Sequence, residues 1–166
     1  MTGSFERLPF DVPAYLELVR ERCFICAFLE DVPGYEHHTI FENAHAVAFL
    51  ARFPFELGHT LVVPRDHREH VTADFTTWQY TRLQAVVHRV GEAVRTVVPT
   101  ERLYVLSLGS QDANRHVHWH LVPCPPGVPH EQQQVELLRS ERGYLDVSEE
   151  DMTALATKIR TAIPVG

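Results

Sequence analysis

The apolar positions of this chain change period along its length, and each change of period marks an element. Asp11-Val12-Pro13 reads as a capped helix start, continued by Tyr15, Leu16, Leu18 and Val19 toward residue 22. Pro33-Gly34 then breaks the chain. Residues 38–41 and 46–50 read as two strands around the turn Glu42-Asn43-Ala44, and residues 60–63 as a third strand stopped by Pro64. Phe53-Pro54-Phe55 is a loop, because proline cannot serve a central strand. From 72 to 98 apolar residues recur at helical spacing, which predicts a long helix capped by Thr72 or Asp74 and ended by Pro99. Residues 103–108 form a fourth strand and 109–114 a polar turn. A fifth strand over 116–122 is near enough in sequence to pair antiparallel with the fourth.

Beyond Pro123 the pattern changes. Pro125-Pro126-Gly127-Val128-Pro129 is an extended connector, 131–142 a short helix, and Ser148-Glu149-Glu150-Asp151 a capping sequence for a C-terminal helix to about Ile163. These elements predict an α+β fold: a five-stranded, mainly antiparallel sheet with a long helix between strands three and four, and helices at both ends. No repeat or low-complexity linker divides the chain. The expectation is one domain over 1–166, with a core of about 20–125 and an extension over 126–166.

Composition narrows the partners more than the fold. The 166 residues are 45% hydrophobic and 22% charged, ordinary for a globular protein, with a net charge of −7. No basic stripe invites a nucleic-acid polymer, although a local pocket can still be positive enough for a small anion. No apolar run is long enough to span a membrane, and no secretory leader is visible, so the expected location is cytoplasmic.

The strongest chemical signal is His116-Val117-His118-Trp119-His120. On a strand, alternate side chains share a face, so the three imidazoles would form a row at intervals of roughly 6.6 Å, with Val117, Trp119 and Leu121 opposite. A polar stripe of that size is costly to bury without a purpose. It suits a metal or a phosphoryl group. Cys23-Phe24-Ile25-Cys26 is a short C-x-x-C, which in a reducing compartment reads as metal-binding or redox-active; Cys124 reads as an uninvolved thiol.

His116-Val117-His118-Trp119-His120-Leu121-Val122, with Gly58-His59-Thr60-Leu61-Val62-Val63-Pro64-Arg65-Asp66-His67, the strand Val47-Ala48-Phe49-Leu50 and the Cys23/Cys26 pair, resembles the histidine triad (HIT) superfamily of nucleotide hydrolases and transferases. The turn ending Asn114-Arg115-His116 is similar to that of the galactose-1-phosphate uridylyltransferase branch. The resemblance implies His118 as a nucleophile that forms a nucleotidyl-histidine. It implies His120 as a donor to the phosphoryl oxygens, with His59 at the same phosphate. Asn114, Gln111 and Ser107 are candidate contacts to oxygens or to the leaving group. It also implies a structural zinc on Cys23, Cys26, His67 and His116, a closed tetrahedral set of thiolates and imidazoles. No organic cofactor is expected. The rival reading of the histidine row is a catalytic metal, disfavoured because three consecutive alternate side chains on one strand diverge.

The chain departs from the family where many relatives hold ribose with an aspartate. Here Ala51 stands at that place, leaving Glu56 or a backbone group to substitute. The usual Gly-Gln before the triad is also absent. The expected function is hydrolysis at the α-phosphate of a dinucleoside polyphosphate or nucleoside phosphoramidate. The alternatives are transfer to phosphate or a sugar phosphate, and nucleotide binding without turnover. A homodimer is expected.

Overall fold

The computed structural model describes residues 5–164. In chain order the elements are β1 (Arg7–Leu8), α1 (Val12–Glu21), α2 (Phe24–Leu29), β2 (Thr39–Glu42), β3 (Ala46–Leu50), β4 (Thr60–Pro64), α3 (Thr77–Val97), β5 (Arg102–Ser107), β6 (Trp119–Cys124), β7 (Tyr144–Leu145) and α4 (Glu149–Ala162). Five strands form an antiparallel sheet in the order β2-β3-β4-β6-β5, and β1 pairs with β7 in a separate two-stranded ribbon. The α+β arrangement predicted from periodicity is the one observed, with α3 bridging β4 and β5. No helix among the described residues is long and apolar enough to cross a membrane.

Every residue of β3 and β4 is buried, which requires cover on both faces of the sheet. Alternation sorts the side chains. Ala46, Ala48, Leu50, Val62, Trp119 and Leu121 pack with Val86, Val87, Val90 and Val94 of α3 and Leu155 and Ile159 of α4. Val47, Phe49, Leu61 and Val63 point the other way, against Ile25 of α2. Because Val117, Trp119 and Leu121 face the α3 side, His118 and His120 are turned toward the face under α1 and α2.

Local chemistry explains most boundaries. The Asn43 side chain accepts from the backbone N–H groups of His45 and Ala46, closing the turn between β2 and β3. Asp11 caps α1 by accepting from the N–H of Ala14. Cys23 starts a separate helix, α2, accepting through its sulfur from the N–H of Cys26. The start of α3 differs from expectation. Thr76 caps it in a reciprocal box with Gln79, while the Asp74 carboxylate instead accepts from the N–H groups of Glu69 and His70, folding the preceding segment into a loop.

Two further corrections come from pairing and packing. Regular pairing of the histidine segment begins only at Trp119, opposite Ser107 and Val62, so His120 alone of the three lies on β6. His116 and His118 lie on an irregular lead-in whose Val117 N–H donates to the Arg68 carbonyl in a loop rather than to a strand. The helix expected over 131–142 is three separate 3₁₀ turns, His130–Gln132, Gln134–Leu138 and Ser140–Arg142. Leu137 is the one fully buried side chain there, set against Val122 and Cys124, so no helical stripe sustains a longer helix. The connection between Arg142 and β7 passes through Gly143 at φ 72°, where a Cβ would lie 2.1 Å from the Leu8 carbonyl oxygen. Only glycine fits so close to β1.

Candidate functional site

A cavity of about 570 Å³ opens on the α1/α2 side of the sheet. His59, immediately before β4, and His118 and His120 form its polar end. Phe10, Tyr15, Phe24 and Phe53 supply much of its apolar wall, with Arg52 also in the lining. No carboxylate lines it among the described residues. A site so composed suits a ligand with a flat apolar part and a multiply charged anionic part.

The hydrogen bonds fix which nitrogen of each histidine carries the proton. A backbone N–H can only donate, so the Phe55 N–H at 3.3 Å makes His59 Nδ1 the acceptor. The His59 proton therefore sits on Nε2, which donates to His120 Nδ1 at 2.9 Å. His120 in turn carries its proton on Nε2, its only remaining ring nitrogen. His118 has the opposite arrangement. Its Nδ1 lies 2.7 Å from the carbonyl oxygen of His116, a group that can only accept, so Nδ1 is protonated and Nε2 keeps its lone pair. The cavity thus holds a ring with a free lone pair, and beside it, with ring centroids 4.8 Å apart, a ring whose free nitrogen is a donor. Ser107 donates to the His118 carbonyl at 2.7 Å, which steadies the same backbone from the β5 side.

Burial keeps these rings uncharged. His59 is 2% exposed and His118 3% exposed. Burial, then the neighbouring His118, lowers the His59 pKa to about 3. Burial, then His59, takes His120 far below its ordinary value. Burial lowers His118 too, against the pull of the His116 carbonyl. The unfolded chain takes up protons near pH 6.5 whereas the folded one does not, so stability is full above that pH and lost as the pH falls below it. For His59 and His120 together the expected loss between pH 7 and pH 5.5 is about 2 kcal/mol. Imidazole ¹⁵N shifts of these two residues should stay at neutral-ring values from pH 7 to pH 5; titration of either ring within that window would refute the assignment.

A second cluster lies at the far end of the histidine row. Ligand atoms of Cys23, Cys26, His67 and His116 all fall within 4.8 Å of one another. Cys23 Sγ and Cys26 Sγ are 3.7 and 3.6 Å from His116 Nδ1, and Cys26 Sγ is 3.2 Å from His67 Nδ1. Tetrahedral zinc with two sulfur and two nitrogen ligands has edges of about 3.3–3.8 Å, close to these three sulfur–nitrogen separations, so the donor chemistry fits that ion and binding would draw the wider pairs in. The outer nitrogens agree. His116 Nε2 donates to the Pro64 carbonyl at 3.0 Å and His67 Nε2 to Glu69 Oε1 at 3.3 Å, leaving each Nδ1 lone pair for a metal. Burial, reinforced by Cys23, pushes the Cys26 thiol up to about 12, a cost that a bound dication would reverse.

The sequence-predicted residues separate into three groups. His59, His118, His120 and Asn114 share the cavity, and Cys23, Cys26, His67 and His116 share the metal cluster. Ser107 and Gln111 lie outside the cavity wall, Ser107 on the His118 backbone and Gln111 on the exposed turn. Ala51 is part of the wall, but Glu56, the expected substitute carboxylate, is not. It pairs with Arg7 at 2.5 Å and Arg142 at 3.2 Å, tying β1 and the C-terminal extension to the β3–β4 loop. Tyr15 and Phe53 were not legible as wall residues, since nothing in their local spacing marks them.

The family model described as HIT domain matches residues 32–126. An uncharacterized HIT-like protein of Saccharolobus solfataricus is 32% identical over 106 residues, 60% of this chain and 73% of that protein. Protein hit of Bacillus subtilis is 29% identical over 107 residues, 62% and 71% of the two chains. Among solved structures, a hypothetical histidine triad nucleotide-binding protein from Sulfolobus tokodaii superposes with a TM-score of 0.67 at 26% identity, over 85% of this chain and 91% of that one. A Zn-bound histidine triad family protein from Mycobacterium smegmatis shares the fold with a TM-score of 0.66 at 22% identity, over 87% and 94% of the two chains.

Proposed function

Because the chain belongs to the HIT domain family, we propose that it is a nucleotide hydrolase that cleaves at the α-phosphate of a dinucleoside polyphosphate or nucleoside phosphoramidate. The observation that carries this reading is the pairing of tautomers in the cavity: a lone pair on His118 Nε2 beside a donor on His120 Nε2. His118 Nε2 attacks the α-phosphorus, a nitrogen–phosphorus bond forms, and the bond from phosphorus to the departing oxygen or nitrogen breaks. The ring becomes cationic, and the His116 carbonyl, already accepting from Nδ1–H, stabilises that charge. A polyphosphate departs as an anion, whereas a phosphoramidate nitrogen takes a proton from solvent as its bond to phosphorus breaks and departs as the neutral amine. Water then adds to phosphorus, the nitrogen–phosphorus bond breaks with its electrons returning to Nε2, and a nucleoside monophosphate is released.

His120 Nε2–H donates to the phosphoryl oxygens as charge builds on them, and its donor state is enforced from behind by His59 and the Phe55 N–H. The aromatic wall takes the base. Zinc on Cys23, Cys26, His67 and His116 is structural in this reading, since four protein ligands leave no position for substrate. The second reading, transfer to phosphate or a sugar phosphate, draws on Arg52, a cation in the cavity lining where an anionic acceptor is favoured over water. Pairing of two copies belongs to the same proposal and is supported by the exposed Val105 of edge strand β5 and the exposed Leu108 just beyond it.

The test is incubation with α-labelled dinucleoside polyphosphates and adenosine 5′-phosphoramidate, with rapid quenching in base. An acid-labile, base-stable label on the protein and release of nucleoside monophosphate are expected. Release that depends on added phosphate or sugar phosphate would favour transfer. Tight nucleotide binding with neither label nor turnover would replace both readings with a binding protein.

A further inference from the structure

Tyr15, on α1, stands far from the histidine row in sequence, yet its hydroxyl lies 3.1 Å from Oδ1 of Asn114 in the same cavity. Its ring is held on two sides, with centroids 5.2 Å from Phe10 and 6.1 Å from Phe53, the latter edge-on at 88°. Asn114 sits at φ 55°, a left-handed conformation that asparagine adopts more readily than most residues. Gly109 lies between its carbonyl and the His118 ring. A Cβ on Gly109 would be 2.8 Å from the Asn114 carbonyl oxygen and 3.8 Å from His118 Cε1, the ring carbon next to Nε2.

An asparagine amide can face a partner with either its oxygen or its nitrogen, and the chemistry of the cavity decides which. If the amide nitrogen faced Tyr15, the hydroxyl proton would lose its acceptor and Oδ1 would present lone pairs to an incoming phosphate. With Oδ1 toward Tyr15, the phenol is the donor and both Nδ2 hydrogens remain for the ligand. Burial raises the phenol's pKa, so it stays protonated and donates at any ordinary pH. No protein acceptor takes the Nδ2 hydrogens among the described residues.

We infer that Tyr15 is a positioning residue that turns the Asn114 amide so that its NH₂ group meets the departing oxygen on the phosphorus attacked by His118. The inference rests on the nucleotidyl-transfer reading of the cavity. Asn114 would then stabilise charge that grows only as the bond to the leaving group breaks, and the Tyr15 hydroxyl would act through it rather than on the phosphate, its ring remaining part of the wall.

Steady-state kinetics of the wild type, Tyr15→Phe, Asn114→Asp and the double variant provide the test. The substrates are the 4-nitrophenyl and phenyl esters of AMP, which differ in how much help the leaving group needs. Tyr15→Phe should lower kcat for the phenyl ester about tenfold with little change in KM, and for the nitrophenyl ester by only about two- to threefold. Asn114→Asp keeps an acceptor for Tyr15 but removes the NH₂ group, so it should lose at least as much, and adding Tyr15→Phe should change little further. Equal losses on both esters, or full additivity, would overturn the inference and reduce Tyr15 to packing. If the wild type turned over neither ester, the hydrolase reading itself would fail. The side-chain amide ¹⁵N–¹H pair of Asn114 would then decide the inference: a shift and broadening in Tyr15→Phe would support it, and an unchanged pair would overturn it.

Discussion

His118→Asn is expected to lower turnover by on the order of a thousandfold or more while leaving the fold intact. The choice of asparagine follows from the two ends of the imidazole. The side-chain NH₂ of asparagine falls near the place of Nδ1, so it can still donate to the His116 carbonyl that Nδ1 contacts at 2.7 Å. Nothing replaces Nε2. Because His118 is 3% exposed, a variant that left the carbonyl without a donor would confound catalysis with stability, and this one does not. Thermal unfolding should move by no more than a cavity of a few atoms requires, about 1 kcal/mol. The covalent label should disappear along with turnover. A variant that retained turnover within tenfold, or that still took up label, would place the nucleophile elsewhere in the cavity.

The size of that effect also separates His118 from its neighbours. His59 and His120 act as a linked pair whose last atom is a donor, and a donor lost at a phosphoryl oxygen costs a few kcal/mol. Loss of the nucleophile removes the path itself. The three rings share one neutral state, and the difference between them lies in what occupies each Nδ1: the Phe55 N–H at His59, the His116 carbonyl at His118 and the His59 ring at His120.

That difference is where reading the sequence stopped. Period-two alternation placed the histidines opposite Val117, Trp119 and Leu121, and packing follows it even where regular pairing has not begun. Helical spacing placed α3, but the acidic residue nearest its start, Asp74, was taken up by the loop it closes. The cap that forms, Thr76 with Gln79, was neither of the expected residues, Thr72 and Asp74, because capping sequences are local and which one acts depends on what the rest of the chain leaves free. The C-x-x-C pair and His67 were legible as a ligand set through the family resemblance, which carries long-range information that spacing lacks. Tyr15 and the Glu56 pairs with Arg7 and Arg142 were not legible by either route. Each joins segments far apart in the chain, through side chains whose local setting is that of an ordinary helix or loop residue.

The metal cluster ties the two halves of the site together, so its loss should register in stability and in catalysis at once. His116 turns Nδ1 toward the two cysteine sulfurs, donates through Nε2 to the Pro64 carbonyl, and holds His118 Nδ1 with its own carbonyl. A zinc ion on Cys23, Cys26, His67 and His116 would therefore pin α2, the segment after β4 and the lead-in to β6 at the residue whose carbonyl holds His118, the proposed nucleophile. The purified protein is expected to carry about one zinc per chain, as a closed four-ligand site does. Cys26→Ala removes the sulfur that touches both histidines and should reduce zinc well below that level. The expected cost is several kcal/mol of stability, because metal binding free energy at such a site is folding free energy. At this chain length that corresponds to a fall of about 10 °C or more in Tm. Of the activity that survives at low temperature, kcat should fall by roughly tenfold with KM little changed, since His116 is no part of the aromatic wall proposed to take the base. Metal analysis, a thermal scan and kinetics on the same preparations check all three. Full stability and activity in protein holding less than about a tenth of an equivalent of zinc would show that hydrogen bonds alone set the His116 carbonyl, and that the nucleophile is held without the metal.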